Sequence, residues 1–187
     1  MWVKLHFVRI NVDSIHNIDE YYKAMTATDL TNKANGSALD AIDRKILGLL
    51  QENAKIPQAK VAKAVGLTAP SVNERIRKLE KNGFIRGYVA LLDEHKLGQD
   101  IAAFVEVFIE HPKFEEGFIE AVEALDEVLE CHHITGEFSL LLKVRVEDMA
   151  AFRRLLIEKL NSIRGVRQTR TLIVLATAKD RRRIKVE

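Results

Sequence analysis

Between residues 39 and 83, apolar side chains recur every three or four positions in three short stretches, the spacing of amphipathic helices. Asp40 and Thr68 are suited to cap the first and third of these helices, and Pro57 is suited to the first turn of the second. Gly66 interrupts the pattern before the third helix, where glycine accepts the left-handed backbone of a tight turn. The pattern therefore predicts three helices with a glycine turn before the third.

The pattern changes after the third helix. Residues 85–92 are β-prone and interrupted by Gly87, which predicts a small hairpin or wing. From residue 101 onward apolar and polar positions alternate as in a strand, and strands at 128–134, 138–146 and 166–178 follow. Helices are predicted to begin at Pro112 and Met149. The order β-α-β-β-α-β indicates a ferredoxin-like domain, so the predicted fold class is α+β.

These patterns divide the chain into five segments. The predicted segments are an N-terminal extension (1–37), a winged helix-turn-helix domain (38–92), a hinge (93–100), a ferredoxin-like domain (101–179) and a basic tail (180–187). The extension has weak periodicity and ends in a polar stretch. We hypothesise that Met25 is the true start and that residues 1–24 are not translated, which the intact mass of the native protein would settle.

Composition narrows the class of protein. Of the 187 residues 47% are hydrophobic and 30% are charged, which argues against a disordered chain. No apolar run approaches the roughly 18 to 20 residues that a membrane span needs. The single cysteine, Cys131, excludes an intramolecular disulfide framework and suits a reducing compartment. We therefore expect a cytoplasmic protein without a membrane partner.

Charge is distributed unevenly along the chain. Residues 38–99 hold eleven basic and seven acidic residues, a net charge of +4, whereas residues 100–178 hold nine and fourteen, a net charge of −5. The last nine residues hold five basic and two acidic residues, a net charge of +3. A basic module joined to an acidic one suggests that the first module meets a polyanion.

The third predicted helix has the chemistry of a DNA-reading helix. Its apolar positions would face the domain core and leave a polar flank outward, as insertion into the major groove requires. On that flank Asn73 offers the donor and acceptor set for adenine, and Arg77 offers the set for guanine. Glu74 would either accept from a cytosine amino group or pair with a neighbouring cation. The predicted phosphate contacts are Lys60, Lys63, Lys78 and Arg86.

Two further groups of residues have side chains that can bind a metal or a phosphate. On a strand Cys131 and His133 share one face while His132 points away, a poor metal cluster, so a buried thiol is expected. Residues 181–183 are three arginines, interpreted as a solvated tail with auxiliary phosphate contact as the alternative. The sequence has no paired-carboxylate, nucleophile–base, phosphate-loop or metal-ligand spacing, so we expect no catalytic site, metal or cofactor.

The sequences of several segments resemble those of the Lrp/AsnC family of leucine-responsive, feast/famine transcription regulators. The segments are Leu39–Leu47, Val65–Thr68, Arg75–Ile85, Thr135–Phe138 and Thr169–Thr171. The resemblance covers about residues 38–180 and implies a winged helix-turn-helix, a hinge strand and a ferredoxin-like domain that pairs with a second copy through its sheet. Homodimers that can assemble into octamers are implied, with double-stranded DNA as partner.

The resemblance also implies two sites. The DNA-reading segment maps to Gln58–Arg77, and effector amino acids bind at the turn Thr135–Phe138. With the residues argued above, the predicted DNA-binding set is Gln58, Lys60, Thr68, Ala69, Pro70, Ser71, Asn73, Glu74, Arg75, Arg77 and Lys78. The predicted effector-binding set is Thr135, Gly136, Glu137, Phe138 and Ser139.

One position departs from the family. Ser139 stands where the family often carries Asp, so a charge-assisted bond to an effector amino group is lost there. Glu137 would substitute if the strand had already begun, because both side chains would then share a face. The alternative is a different effector or none.

The sequence thus predicts an oligomeric, sequence-specific DNA-binding regulator modulated by an amino acid or a related metabolite. The competing hypothesis is an ACT-like small-molecule sensor, or the regulatory subunit of an enzyme, that does not bind DNA.

Overall fold

A computed structural model describes residues 39–186, which form two compact units. Unit 1 comprises residues 39–91 and 180–186, and unit 2 comprises residues 92–179. The C-terminal tail therefore groups with the helical unit and not with the segment that directly precedes it. The predictions about the extension 1–37 and about Met25 lie outside the described residues.

Unit 1 is built from three helices, as predicted. They are α1 (Ala41–Glu52), α2 (Gln58–Val65) and α3 (Ala69–Lys81). Their facing sides enclose one core of buried residues: Ile46, Val61, Ala62, Val72, Ile76 and Leu79. Burial of this apolar surface is the main source of stability for helices as short as these.

The ends of these helices follow the local chemistry of the sequence. Asp40 forms a capping box with Asp43 at the start of α1, and Thr68 accepts a hydrogen bond from the backbone of Ser71 at the start of α3. Gly66 ends α2 with a φ of 71°, in the left-handed region where a side chain is strained. The predicted caps and the glycine turn are confirmed.

The predicted hairpin after α3 is wrong as local structure. Residues 85–93 carry no strand in the part of the chain that the structure describes. Val89, Leu91 and Leu92 are 82%, 66% and 64% exposed. A strand forms only where a neighbouring strand accepts its backbone hydrogen bonds, and no described strand of unit 1 offers one.

Unit 2 is a four-stranded antiparallel sheet with helices on one face. The strands are β1 (Ile101–Ile109), β2 (Val128–His133), β3 (Leu140–Val146) and β4 (Val166–Ile173). They lie in the order β2-β3-β1-β4, which is the predicted ferredoxin-like arrangement. The helices are α4 (Glu115–Glu123), preceded by the 3₁₀ turn Pro112–Phe114, and α5 (Met149–Arg154). Alternate residues of β1 and β3 are buried beneath the helices.

Two element boundaries differ from the periodicity. The helix that starts at Met149 continues as a π-helix over Leu155–Leu160, where Leu155 and Leu160 are both fully buried. Two residues five apart face the same side in the wider turn of a π-helix, so the core favours this form. The last strand ends at Ile173, five residues earlier than predicted.

The prediction of a buried thiol at Cys131 is wrong, since this residue is exposed. Cys131 lies on β2, which is the edge strand beside β3. The β-strand period of two shows which residues share a face, but it does not show that the strand lies at the edge, where no neighbour covers one side.

Candidate nucleic-acid interface and effector loop

Helix α3 has one buried and one exposed side. Val72, Ile76 and Leu79 are at most 9% exposed and face the core of unit 1. Arg77 and Lys78 lie on the opposite flank and are exposed. A helix with this division can hold its place in a domain while its polar flank lies along base edges.

The start of α3 is fixed by neighbouring side chains. The Gln58 side-chain amide on α2 donates a hydrogen bond to Oδ1 of Asn73 at 3.3 Å. The hydroxyls of Thr68 and Ser71 lie 2.9 Å apart, and the Ser71 N–H donates to Thr68. These contacts orient Asn73 and occupy the Ser71 N–H, and Pro70 has no N–H, so the start of α3 offers few amides to a phosphate. Sequence reasoning placed these residues in one site, but it did not predict the bond between Gln58 and Asn73.

Arg75 is held by two carboxylates of α1. Its Nη1 lies 2.7 Å from Oδ2 of Asp40 and 2.8 Å from Oδ1 of Asp43. The pKa of Asp40 is lowered, first by the backbone hydrogen bond from Asp43 and then by Arg75. The guanidinium thus ties α3 to the capping box of α1. The capping pattern is visible in the sequence, but the Arg75 contact over 32 and 35 positions is not.

The remaining charged residues fall into two groups. Glu74 pairs with Lys78 at 2.8 Å, four residues along the same helix. Of the two roles weighed for Glu74, the structure thus shows the pairing with a neighbouring cation. Arg77, Lys60, Lys63 and Arg86 make no hydrogen bond or ion pair among residues 39–186. All eleven predicted DNA-binding residues lie on α2, α3 or the turn between them.

The predicted effector residues form the loop between β2 and β3. Within it Phe138 is buried, and the Arg170 guanidinium on β4 lies 4.7 Å from its ring centroid. Arg170 also pairs with Glu106 on β1, which lowers the pKa of that carboxyl. Glu137 adds a second negative charge that acts on Arg170. The loop therefore carries an aromatic ring beside a guanidinium and two carboxylates.

Ser139 presents an orphaned hydroxyl, because its Oγ is buried and has no hydrogen-bond partner. A buried hydroxyl without a partner is costly. Strand β3 begins only at Leu140. Glu137 and Ser139 thus precede the strand, and the condition under which Glu137 would share a face with Ser139 is not met.

Residues 39–186 contain no group of three His, Cys, Asp or Glu side chains placed to hold a metal ion. His132 and Glu130 form a surface pair at 3.0 Å. Among the helices described, none has the length and apolar character needed to cross a membrane.

Comparison with known proteins agrees with this geometry. A family model for the winged helix-turn-helix DNA-binding domain matches residues 39–86, and a model for the Lrp/AsnC ligand-binding domain matches residues 102–184. The leucine-responsive regulatory protein of Escherichia coli K12 is 42% identical over 159 residues, which span 84% of this chain and 97% of that protein. The chain belongs to the Lrp/AsnC family. The resemblance predicted from sequence motifs is thereby confirmed.

Solved structures of this family have the same fold. AsnC of Escherichia coli aligns with a TM-score of 0.75 at 32% identity, covering 80% of this chain and 99% of that chain. A transcriptional regulator of Neisseria meningitidis in complex with L-methionine aligns with a TM-score of 0.74 at 33% identity, covering 78% and 95%. This Lrp/AsnC protein is accordingly a transcriptional regulator with a winged helix-turn-helix DNA-binding domain and a ligand-binding domain.

Proposed function

We propose that this Lrp/AsnC protein inserts α3 into the major groove of double-stranded DNA and binds specific sequences there. The observation that carries the proposal is the polar flank of α3, which stays exposed while the apolar side is buried. Asn73 would contact adenine and Arg77 guanine, because their side chains match those bases bidentately. Lys60 and Lys78 would contact phosphates.

Arg75 takes a different role from the one expected of the DNA-reading segment. Its guanidinium faces Asp40 and Asp43 and is about two-thirds buried, with 31% of the side chain exposed. We assign Arg75 as a positioning residue that sets the angle of α3 against α1. Glu74 pairs with Lys78, and the other nine predicted DNA-binding residues keep their predicted roles.

The test is binding of duplex DNA by fluorescence anisotropy in rising salt. The probe is a duplex selected from a random pool by the full-length protein. Arg77→Ala is expected to weaken binding by about 1–3 kcal/mol and to relax the preference at one base position. Lys45→Ala is the matched control, because Lys45 is an exposed cation on α1 away from this flank.

Two outcomes would contradict the proposal. If the protein retains no duplex even at low salt, the sensor without DNA binding is the better interpretation. If Arg77→Ala and Lys45→Ala behave alike on the selected duplex, α3 is not the reading helix.

We further propose an amino-acid effector at the loop of residues 135–139. The Neisseria meningitidis neighbour holds L-methionine, and the Escherichia coli relative is named for its response to leucine. In this chain the orphaned Ser139 hydroxyl would receive a polar group of the ligand, and Arg170 lies beside the loop as a cation for a carboxylate. A thermal-shift screen of the twenty amino acids tests this, with Ser139→Ala as the variant. A flat response to all of them would contradict it.

The outer face of the sheet in unit 2 supports a homodimer. Phe104 of β1 pairs in register with Leu172 of β4, and Leu172 is 50% exposed. The described helices of unit 2 cover the opposite face, so a second copy of the sheet would cover these apolar side chains. Light scattering after size exclusion would measure the assembly, and Leu172→Asp is expected to weaken it. That measurement also separates a dimer from the octamer.

We also propose the predicted domain division, cytoplasmic location and absence of catalysis. The domain division at residues 93–100 accounts for separate DNA-binding and effector functions. A regulator of this kind acts where the DNA lies, which supports the cytoplasmic location, and it needs no catalytic site or cofactor.

A further inference from the structure

The C-terminal tail contacts the first helix of unit 1 through its backbone. The Gln51 side-chain amide donates to the carbonyl of Ile184 at 3.1 Å, and the N–H of Ile184 donates to the Gln51 side chain at 2.9 Å. One side chain thus satisfies both backbone groups of one residue, as a neighbouring strand would. The side chain of Ile184 itself is 78% exposed, so the contact depends on the backbone.

An ion pair and a shallow groove extend this contact. Arg183 lies 3.6 Å from Glu52, the last residue of α1. Arg44 and Gly48 complete the α1 side of the groove, and residues 181–186 of the tail form the other side except for Arg182. A Cβ at position 48 would meet nothing within 4 Å, so the groove is open at this position.

The groove lies on the side of α1 that faces away from the core. At about 100° per residue, positions 44, 48 and 51 fall within one stripe, and Ile46 points roughly the opposite way. Ile46 is fully buried in the core that α1 forms with α2 and α3. The tail is therefore attached behind the helix-turn-helix, which favours a structural connection over the phosphate contact weighed from the sequence.

Chain connectivity gives this attachment a consequence. The polypeptide leaves unit 1 after Leu91 and returns to it after Lys179. The returning segment follows β4, whose Arg170 contacts Phe138 in the proposed effector loop. Among residues 39–186, unit 1 is thus joined to unit 2 by two stretches of chain, and the second one ends in the docked tail.

We propose that residues 180–186 are a built-in ligand of α1 that makes a second connection between the ligand-binding domain and the DNA-binding domain. The docked tail narrows the range of orientations open to unit 1, since a body held at two points moves less than a body held at one.

Cross-linking tests the docking and identifies whose tail occupies the groove. Gly48→Cys and Ile184→Cys, which leave the Gln51 side chain in place, are combined in a Cys131→Ser background and treated with a short bis-maleimide. The expected product is an internally linked monomer on a denaturing gel. The control pair, Lys45→Cys with Ile184→Cys, should link much more slowly because Lys45 lies outside the groove. Equal rates for the two pairs, or a covalent dimer as the main product, would overturn the proposal.

A second measurement tests the restraint. One protomer carries dyes at Lys63→Cys on α2 and Glu120→Cys on α4 in the same background and is diluted into unlabelled protein for single-molecule energy transfer. Gln51→Ala removes two hydrogen bonds and should shift the equilibrium between docked and undocked tail about tenfold towards the undocked state. The distance distribution should therefore broaden in Gln51→Ala and after deletion of residues 180–187, but not in Lys45→Ala. Equal widths in all four proteins would refute the second connection.

Neither measurement uses DNA or an amino acid. Their failure is therefore distinguishable from failure of the proposed function.

Discussion

Replacement of Gly165 by alanine should destabilise unit 2 more than any other glycine-to-alanine change in the described chain. Gly165 has a φ of 93° and precedes β4. A Cβ built there would lie 2.3 Å from Cβ and 2.6 Å from Cγ of Phe114. Real Cβ atoms do not approach other atoms so closely, so the backbone or Phe114 must move.

Both possible movements are opposed by contacts in the structure. The carbonyl of Gly165 accepts a hydrogen bond from the Glu110 N–H at 2.9 Å, which holds the backbone. The Phe114 ring lies between Lys113 and Arg164, at 4.9 and 5.0 Å from its centroid. A side chain at positive φ costs about 1–2 kcal/mol, and forced repacking costs about 1–3 kcal/mol. The expected loss in free energy of unfolding is therefore about 2–5 kcal/mol.

Gly66→Ala separates the two contributions. Gly66 has a φ of 71°, but a Cβ there meets nothing within 4 Å, so only the backbone cost of about 1–2 kcal/mol applies. Urea unfolding followed by hydrogen-exchange mass spectrometry measures each unit through its own peptides. Gly165→Ala should affect the peptides of unit 2, and Gly66→Ala those of unit 1. If Gly165→Ala costs no more than Gly66→Ala, the close approach to Phe114 is not a feature of the folded protein.

Three further predictions follow from named contacts. Arg75→Ala and Asp43→Asn should each weaken binding of the selected duplex without changing the slope of log affinity against log salt concentration. A slope lower by about one in Arg75→Ala would instead show that Arg75 contacts a phosphate. The hydrogen bond with Glu115 raises the pKa of His133 above about 6.5. The pair between protonated His133 and Glu115 stabilises the fold below the unfolded-state pKa, and this stabilisation is lost as the pH rises through the folded-state pKa. In Glu115→Gln the midpoint of the His133 NMR titration should move to lower pH, and an unchanged midpoint would contradict this. Phe118→Ala, at a fully buried ring, should cost unit 2 about 3–5 kcal/mol in urea unfolding, and a loss under about 1 kcal/mol would refute its place in the core.

The sequence predicted the parts of the candidate site that depend on local spacing. The helical spacing of the apolar residues in α3 predicted which side is buried and that Arg77 and Lys78 are exposed. The effector loop was found through resemblance, because its residues have no periodicity of their own. The bridge from Arg75 to the α1 carboxylates could not be predicted, since it joins residues 32 and 35 positions apart.

Helix periods, strand alternation, caps and glycine turns acted over a few residues, and they fixed the order of elements and the α+β class. The edge position of Cys131, the missing hairpin at 85–93 and the tail on α1 were decided by tertiary structure. Each depends on whether a distant segment supplies a partner for a side chain or a backbone group. Local patterns show which groups need a partner, whereas only the folded chain determines which of them find one.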